Sequence, residues 1–222
     1  MEKSNKNNLV QRLGFWSSTF ATIFSLMFLV ATLIPLDLDW KGISQYKLDY
    51  TSVPIFIFTV PCLLLALSFL ILVISLYYKT KNRNHFLCFL ALIFTVICVG
   101  QITMNCYLQM SSIRLSIENG DVNGFTAFAF GNPDSLFWSI EILGYTFLNI
   151  ALLFLAPVFN GSKTKLVIKW IFIVNGILGI IAFFQGILKI SSMPIEFVLF
   201  GISFPIATAL IACLFKNNCI SQ

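Results

Sequence analysis

One acidic residue, Glu141, lies well inside a long apolar stretch of this 222-residue sequence. A carboxyl group in a lipid-like interior has to be paired, hydrated or protonated, because an isolated charge there is very costly. Ionisable side chains at such depth are typical of proton and cation pathways in membrane proteins. Glu141 is therefore predicted to bind a proton or another cation.

Polar side chains accompany this glutamate at helical spacing. At about 100° per residue, one helix face carries Asp134, Trp138, Glu141, Tyr145 and Asn149. The preceding apolar stretch has a second polar face, formed by Gln101, Asn105, Gln109 and Ser112. Each set falls within a wedge of about 80°, and the two sets overlap in depth if the helices are antiparallel. The two faces are predicted to meet.

We predict a polar pocket in the outer half of a helix bundle, centred on Glu141 and open to the outside. Its predicted lining is Gln101, Asn105, Gln109, Glu141, Tyr145, Asn149 and Gln185. Near the same surface, Lys189 and Glu196 are predicted to form an ion pair. The alternative is that the amides only join helices, in contacts worth about 0.6–2 kcal/mol each. The sequence leaves both interpretations open.

The composition indicates that lipid surrounds these residues. Hydrophobic residues make up 58% of the chain and charged residues 10%, whereas soluble domains have about 25% charged residues. Six continuously apolar runs are long enough to cross the membrane as helices: 13–35, 53–78, 86–113, 135–159, 166–188 and 195–215. The sequence therefore predicts an all-α polytopic membrane protein, a single domain over 1–222 that forms a bundle of six transmembrane helices.

Lysine and arginine are distributed unevenly between the two sides of the predicted bundle. Ten of the 14 basic residues lie on the side that holds both termini, and four lie on the other. Basic residues near span ends are retained in the cytoplasm, so both termini are predicted to be cytoplasmic. The net charge of +5 is scattered over short loops, which argues against nucleic acid as a partner. The expected partner is the lipid bilayer.

The six cysteines show no C-x-x-C spacing, and the only histidine is His85. Zinc and haem sites need more ligands at closer spacing, so the thiols are interpreted as small core residues. The sequence also lacks G-x-S-x-G, H-E-x-x-H and phosphate-loop motifs. We therefore expect no metal, no cofactor and no enzymatic activity.

Part of the chain resembles a group of uncharacterised multi-pass integral membrane proteins of bacteria and archaea. The residues that carry this resemblance are Asn132-Pro133, Trp138, Glu141, Gly144-Tyr145 and Leu155-Ala156-Pro157-Val158-Phe159. The resemblance covers roughly 101–189, mainly the third to fifth spans, and its motif lies in one helix. It implies a six-helix protein in a prokaryotic cytoplasmic membrane, and it implies no activity.

The predicted function is that of a small-solute or ion carrier, linked to protons through Glu141. The alternative is a non-enzymatic membrane partner, sensor or structural protein whose polar faces only join helices. The oligomeric state and the identity of any solute are not encoded in a pattern that the sequence displays.

Overall fold

The computed structural model describes residues 2–33, 52–80, 83–120, 125–129, 132, 134–188 and 195–220. These residues form helices and no strand, which confirms the all-α prediction. The helices are α1 (Glu2–Leu33), α2 (Ser52–Lys79), α3 (Arg83–Leu108), the short α4 (Arg114–Asn119), α5 (Leu136–Leu155), α6 (Lys163–Leu188) and α7 (Ile195–Lys216). A π-helical turn (Gln109–Ile113) joins α3 to α4, and 3-10 turns occupy Phe125–Phe128 and Ala156–Val158.

The six predicted spans correspond to the six long helices. Five helical stretches are long and apolar enough to cross a membrane: Asn7–Leu33, Ile55–Lys79, Asn84–Glu118, Leu136–Val158 and Lys163–Leu188. The sixth helix, α7, is 22 residues long, and its Gly201–Lys216 part is a shorter apolar stretch. The third helical stretch continues beyond the predicted end at 113, where Arg114 Nη1 lies 2.9 Å from Glu118 Oε1 one turn later. Such i,i+4 pairs support a helix.

The long helices pack in a closed ring that follows the chain order. α1 packs on α2, α2 on α3, α3 on α5, α5 on α6 and α6 on α7, and α7 returns to pack on α1. At this closing interface the hydroxyls of Thr22 and Thr208 lie 2.8 Å apart. A Cβ atom at Gly14 would lie only 2.1 Å from Phe215 Cε1, so the close approach of α1 and α7 requires a glycine there.

Apolar side chains fill the centre of the ring. The rings of Phe69 in α2 and Phe204 in α7 have centroids 5.6 Å apart, so they meet across the interior. A cavity of about 20 Å³ lies beside them, bounded by α2, α3, α5 and α7. That volume has room for about one water molecule. Its lining includes Cys62, Ala66, Cys98, Ile102, Tyr145 and Leu148.

Large apolar side chains also cover the outside of the ring. Each long helix contributes exposed examples, among them Met27, Ile71, Val96, Leu136, Ile177 and Ile206. An extended apolar exterior is unfavourable in water and is favourable against lipid tails. The exterior therefore indicates a membrane-embedded protein.

Both chain ends lie at one end of the bundle, here called the terminal end. At the end of α2, Lys79 Nζ donates hydrogen bonds to Asn7 Oδ1 (3.0 Å) and Asn218 Oδ1 (3.4 Å), which belong to the first and last parts of the chain. Near the start of α3, Asn84 Nδ2 donates to Pro157 O, at 3.0 Å. The opposite end, here called the distal end, contains α4 and the start of α5.

Candidate functional site

Glu141 lies in the second turn of α5, in the distal half of the bundle. Ser135 caps this helix, because its hydroxyl accepts a hydrogen bond from the Trp138 backbone N–H at 3.4 Å. The cap fixes where the helix begins and therefore which face Glu141 occupies. The Glu141 side chain is only 4% exposed. Within the described ranges, no lysine or arginine forms an ion pair with it.

The two polar helix faces meet at Asn105 and Glu141. Asn105 Nδ2 donates to Glu141 Oε1 at 3.0 Å and to the Phe137 carbonyl oxygen at 3.2 Å. The helices approach closely at this point, since a Cβ atom on Gly144 would lie 2.9 Å from Ile102 Cδ1. One amide of α3 therefore contacts both the side chain and the backbone of α5.

Two thiols lie beside this carboxyl group. The Sγ atoms of Cys62 and Cys106 and a carboxylate oxygen of Glu141 all lie within 4.8 Å of one another, and all three residues are buried. We call these residues the thiol–carboxyl cluster. The hydroxyl of Tyr145 lies 3.5 Å from Cys62 Sγ. The cluster joins α2, α3 and α5, which are consecutive in the ring.

This grouping could not be found from residue spacing. Cys62 is far from the other two residues along the chain, and its helix shows no polar face at this position. The closest sequence signal is that Cys106 directly follows Asn105, a member of a predicted polar face. Only the placement of α2 beside α3 brings the second thiol to Glu141.

The predicted pocket residues of α3 lie on either side of Asn105. On the distal side, Gln109 Nε2 donates to the Phe128 carbonyl oxygen at 2.8 Å. The 3-10 turn that contains Phe128 thus covers Gln109, where the sequence predicted an opening. The Oε1 atoms of Gln101 and Gln109 are buried and have no hydrogen-bond partner among the described residues.

Asn149 and Gln185 are not part of the cluster. Asn149 Nδ2 donates to the Tyr145 carbonyl oxygen in its own helix, at 2.8 Å. The Asn149 side chain lies against α6, where a Cβ atom on Gly179 would be 2.1 Å from Asn149 Nδ2. Gln185 is half-buried and forms no hydrogen bond with the cluster within the described ranges. Asn149 therefore packs at the α5–α6 interface.

The remaining predicted residues do not extend the cluster. Asp134 and Ser112 are exposed. The predicted pair of Lys189 and Glu196 lies outside what the structure describes, because Lys189 and the side chain of Glu196 are not among the described atoms.

No family model, curated protein or solved structure matches this chain. The resemblance of 101–189 to uncharacterised prokaryotic membrane proteins therefore stays a prediction. Functional inference rests on the geometry of the site itself.

The cluster combines three groups that release protons when they bind a cation. A carboxyl and two thiols must be deprotonated to act as anionic ligands, so cation binding and proton release are coupled at such a site. The surrounding helices exclude bulk water, and a low local dielectric strengthens electrostatic interactions. The arrangement can therefore bind a cation or exchange protons.

Proposed function

We propose that this chain is a membrane carrier for an ion or a small solute, and that Glu141 binds the proton or cation it moves. The supporting observation is the buried carboxyl group, which receives one hydrogen bond from Asn105 within an apolar bundle. Amide side chains can join helices at much lower cost than a carboxyl group can. A binding role for Glu141 explains why the costly group is present.

A second candidate is a non-enzymatic partner, sensor or structural protein. It is favoured by amides that serve packing alone, such as Asn149 against Gly179. Likewise, Ser203 Oγ donates to Asn175 Oδ1 at 2.9 Å and joins α7 to α6. These contacts support the structural interpretation of the amides, and they leave Glu141 as the residue that separates the two proposals.

The proposed location is the cytoplasmic membrane of a prokaryote, with the terminal end of the bundle in the cytoplasm. The argument for orientation is the excess of basic residues on the side of the termini, ten against four, because such residues resist transfer across the membrane. The resemblance over 101–189 supports the prokaryotic setting. Absence of catalytic motifs from the sequence supports a non-enzymatic role.

The test is a thermal-shift screen of the purified full chain in detergent, across pH values and a panel of cations and small solutes. A ligand at 100 times its Kd stabilises a folded protein by about 2.7 kcal/mol. We expect at least one ligand to raise the Tm of the wild type. Glu141→Gln keeps the size of the side chain and removes its charge, and it is expected to abolish this response.

The matched control is Asn149→Ala, which alters the same helix away from the cluster. It is expected to lower the basal Tm and keep the ligand response. An equal response in wild type and Glu141→Gln would remove Glu141 from the site. Co-purification with one fixed partner, together with no response to any ligand, would favour the second candidate. Movement of the identified ligand into liposomes then tests transport directly.

A further inference from the structure

We propose that the thiol–carboxyl cluster binds a thiophilic divalent cation of the Zn²⁺ class, with Cys62 and Cys106 as sulfur ligands and Glu141 as the oxygen ligand. The inference rests on the proposed role of Glu141 as a cation-binding group, but it does not require transport. It differs from the expectation drawn from spacing, which was that no metal site exists. The three ligands come from α2, α3 and α5.

The spacing of the ligand atoms is close to what a tetrahedral cation requires. Zinc–sulfur bonds of about 2.3 Å and zinc–oxygen bonds of about 2.1 Å place ligand atoms about 3.6–3.8 Å apart. The cluster's ligand atoms lie within 4.8 Å of one another. A contraction of about 1 Å or less per pair therefore completes the site. Small side-chain rotations can supply it.

The charges favour a divalent cation over a monovalent one. When two thiols bind M²⁺ they release two protons to solvent, and the cation with its two thiolates has no net charge. A neutral complex is much less costly than a charged one in buried surroundings. Sulfur ligands also select soft metals, whereas Mg²⁺ and Ca²⁺ prefer oxygen ligands.

Neighbouring side chains are placed to orient the ligands. Asn105 Nδ2 holds Glu141 through Oε1, and Tyr145 places its hydroxyl 3.5 Å from Cys62 Sγ. Hydrogen bonds of this kind fix ligand orientation in metal sites. The cavity of about 20 Å³ that Cys62 and Tyr145 line has room for one water molecule. A three-ligand site with a water in the fourth position is a known arrangement for zinc.

The experiment is a titration of the purified full chain in detergent micelles, after chelator treatment and under a phosphine reductant. Cd²⁺ is the probe, because its thiolate complexes absorb ultraviolet light, and Zn²⁺ is then added as the competitor. We expect one Cd²⁺ per chain with thiolate absorption, displacement by Zn²⁺, and no displacement by Mg²⁺. Cys62→Ser and Cys106→Ser are expected to lose the signal, and Glu141→Gln to weaken binding at least about tenfold.

The matched control is Cys88→Ser. Cys88 is a buried thiol in the same helix as Cys106, and it is bonded to Thr80 Oγ1 at 3.4 Å. This variant is expected to bind Cd²⁺ as the wild type does. Loss of binding in Cys88→Ser to the same extent as in Cys106→Ser would overturn the assignment of ligands.

X-ray absorption of the zinc-loaded wild type gives a readout that needs no variant. We expect two sulfur atoms in the zinc coordination shell, and a shell of oxygen and nitrogen alone would overturn the proposal. The two proposals also fail separately. A ligand response that depends on Glu141, without Cd²⁺ or Zn²⁺ binding, refutes only the metal site. Metal binding without any transport in liposomes refutes only the carrier.

Discussion

The hydrogen bond between Asn105 and Glu141 is a test of whether the two polar faces meet. Asn105 is only 1% exposed, and its amide donates both to Glu141 Oε1 and to the Phe137 carbonyl. Asn105→Ala removes both bonds and leaves two buried acceptors. Unpaired buried acceptors cost about 1–3 kcal/mol, and interhelical hydrogen bonds in membranes are worth about 0.6–1.7 kcal/mol. We expect a loss of about 1–3 kcal/mol of unfolding free energy.

A double-mutant cycle isolates the part of this loss that belongs to Glu141. Glu141→Ala removes the acceptor of one of the two bonds, so the double variant should lose less than the sum of the single variants. The expected coupling is about 1 kcal/mol. Equilibrium unfolding in mixed micelles, with increasing sodium dodecyl sulfate and circular dichroism as the signal, measures all four free energies.

The control cycle uses Thr22 and Thr208, whose hydroxyls form a neutral contact of 2.8 Å between α1 and α7. Their coupling should be smaller than that of Asn105 with Glu141, because a hydrogen bond to an ionisable group is stronger than one between hydroxyls. Additivity of Asn105→Ala and Glu141→Ala, within about 0.3–0.5 kcal/mol, would refute direct contact between the faces.

Three further predictions concern the framework of the bundle. Gly14→Ala should destabilise by about 1–3 kcal/mol through overlap with Phe215, whereas Gly100→Ala, with open space around its Cβ position, should be neutral or stabilising; thermal unfolding compares them. Ser135→Ala removes the acceptor for the Trp138 N–H and should cost about 1 kcal/mol, measured by the same unfolding assay. Reporter domains fused to either terminus should be active only in the cytoplasm, and an extracellular signal from either one contradicts the charge argument.

The apolar runs predicted the helices well because the membrane imposes one constraint on all of them. A span needs about 20 apolar residues, and its backbone must form hydrogen bonds within itself. The runs 53–78 and 166–188 accordingly lie within α2 and α6. Prediction was less accurate at the end of the third span, where the pair of Arg114 and Glu118 lies on a helix that continues past the apolar residues.

Side-chain partners were harder to predict than helices. The contact of Asn105 with Glu141 followed from angular position and depth, which are properties of two adjacent helices. Asn149 shares the predicted wedge with Glu141, yet it faces Gly179, because a wedge of about 80° spans the boundary between two neighbours. The place of Cys62 depends on the order of helices in the ring, which hydropathy does not encode.

The contact between α1 and α7 has a consequence for biosynthesis. Since α7 follows every other long helix in the chain, the earlier helices form an open arc until the ribosome has delivered it. During that interval the notch at Gly14, later occupied by Phe215, faces the lipid. Substitutions that weaken this seam should therefore prolong an unfinished intermediate and lower the amount of protein that escapes proteolysis.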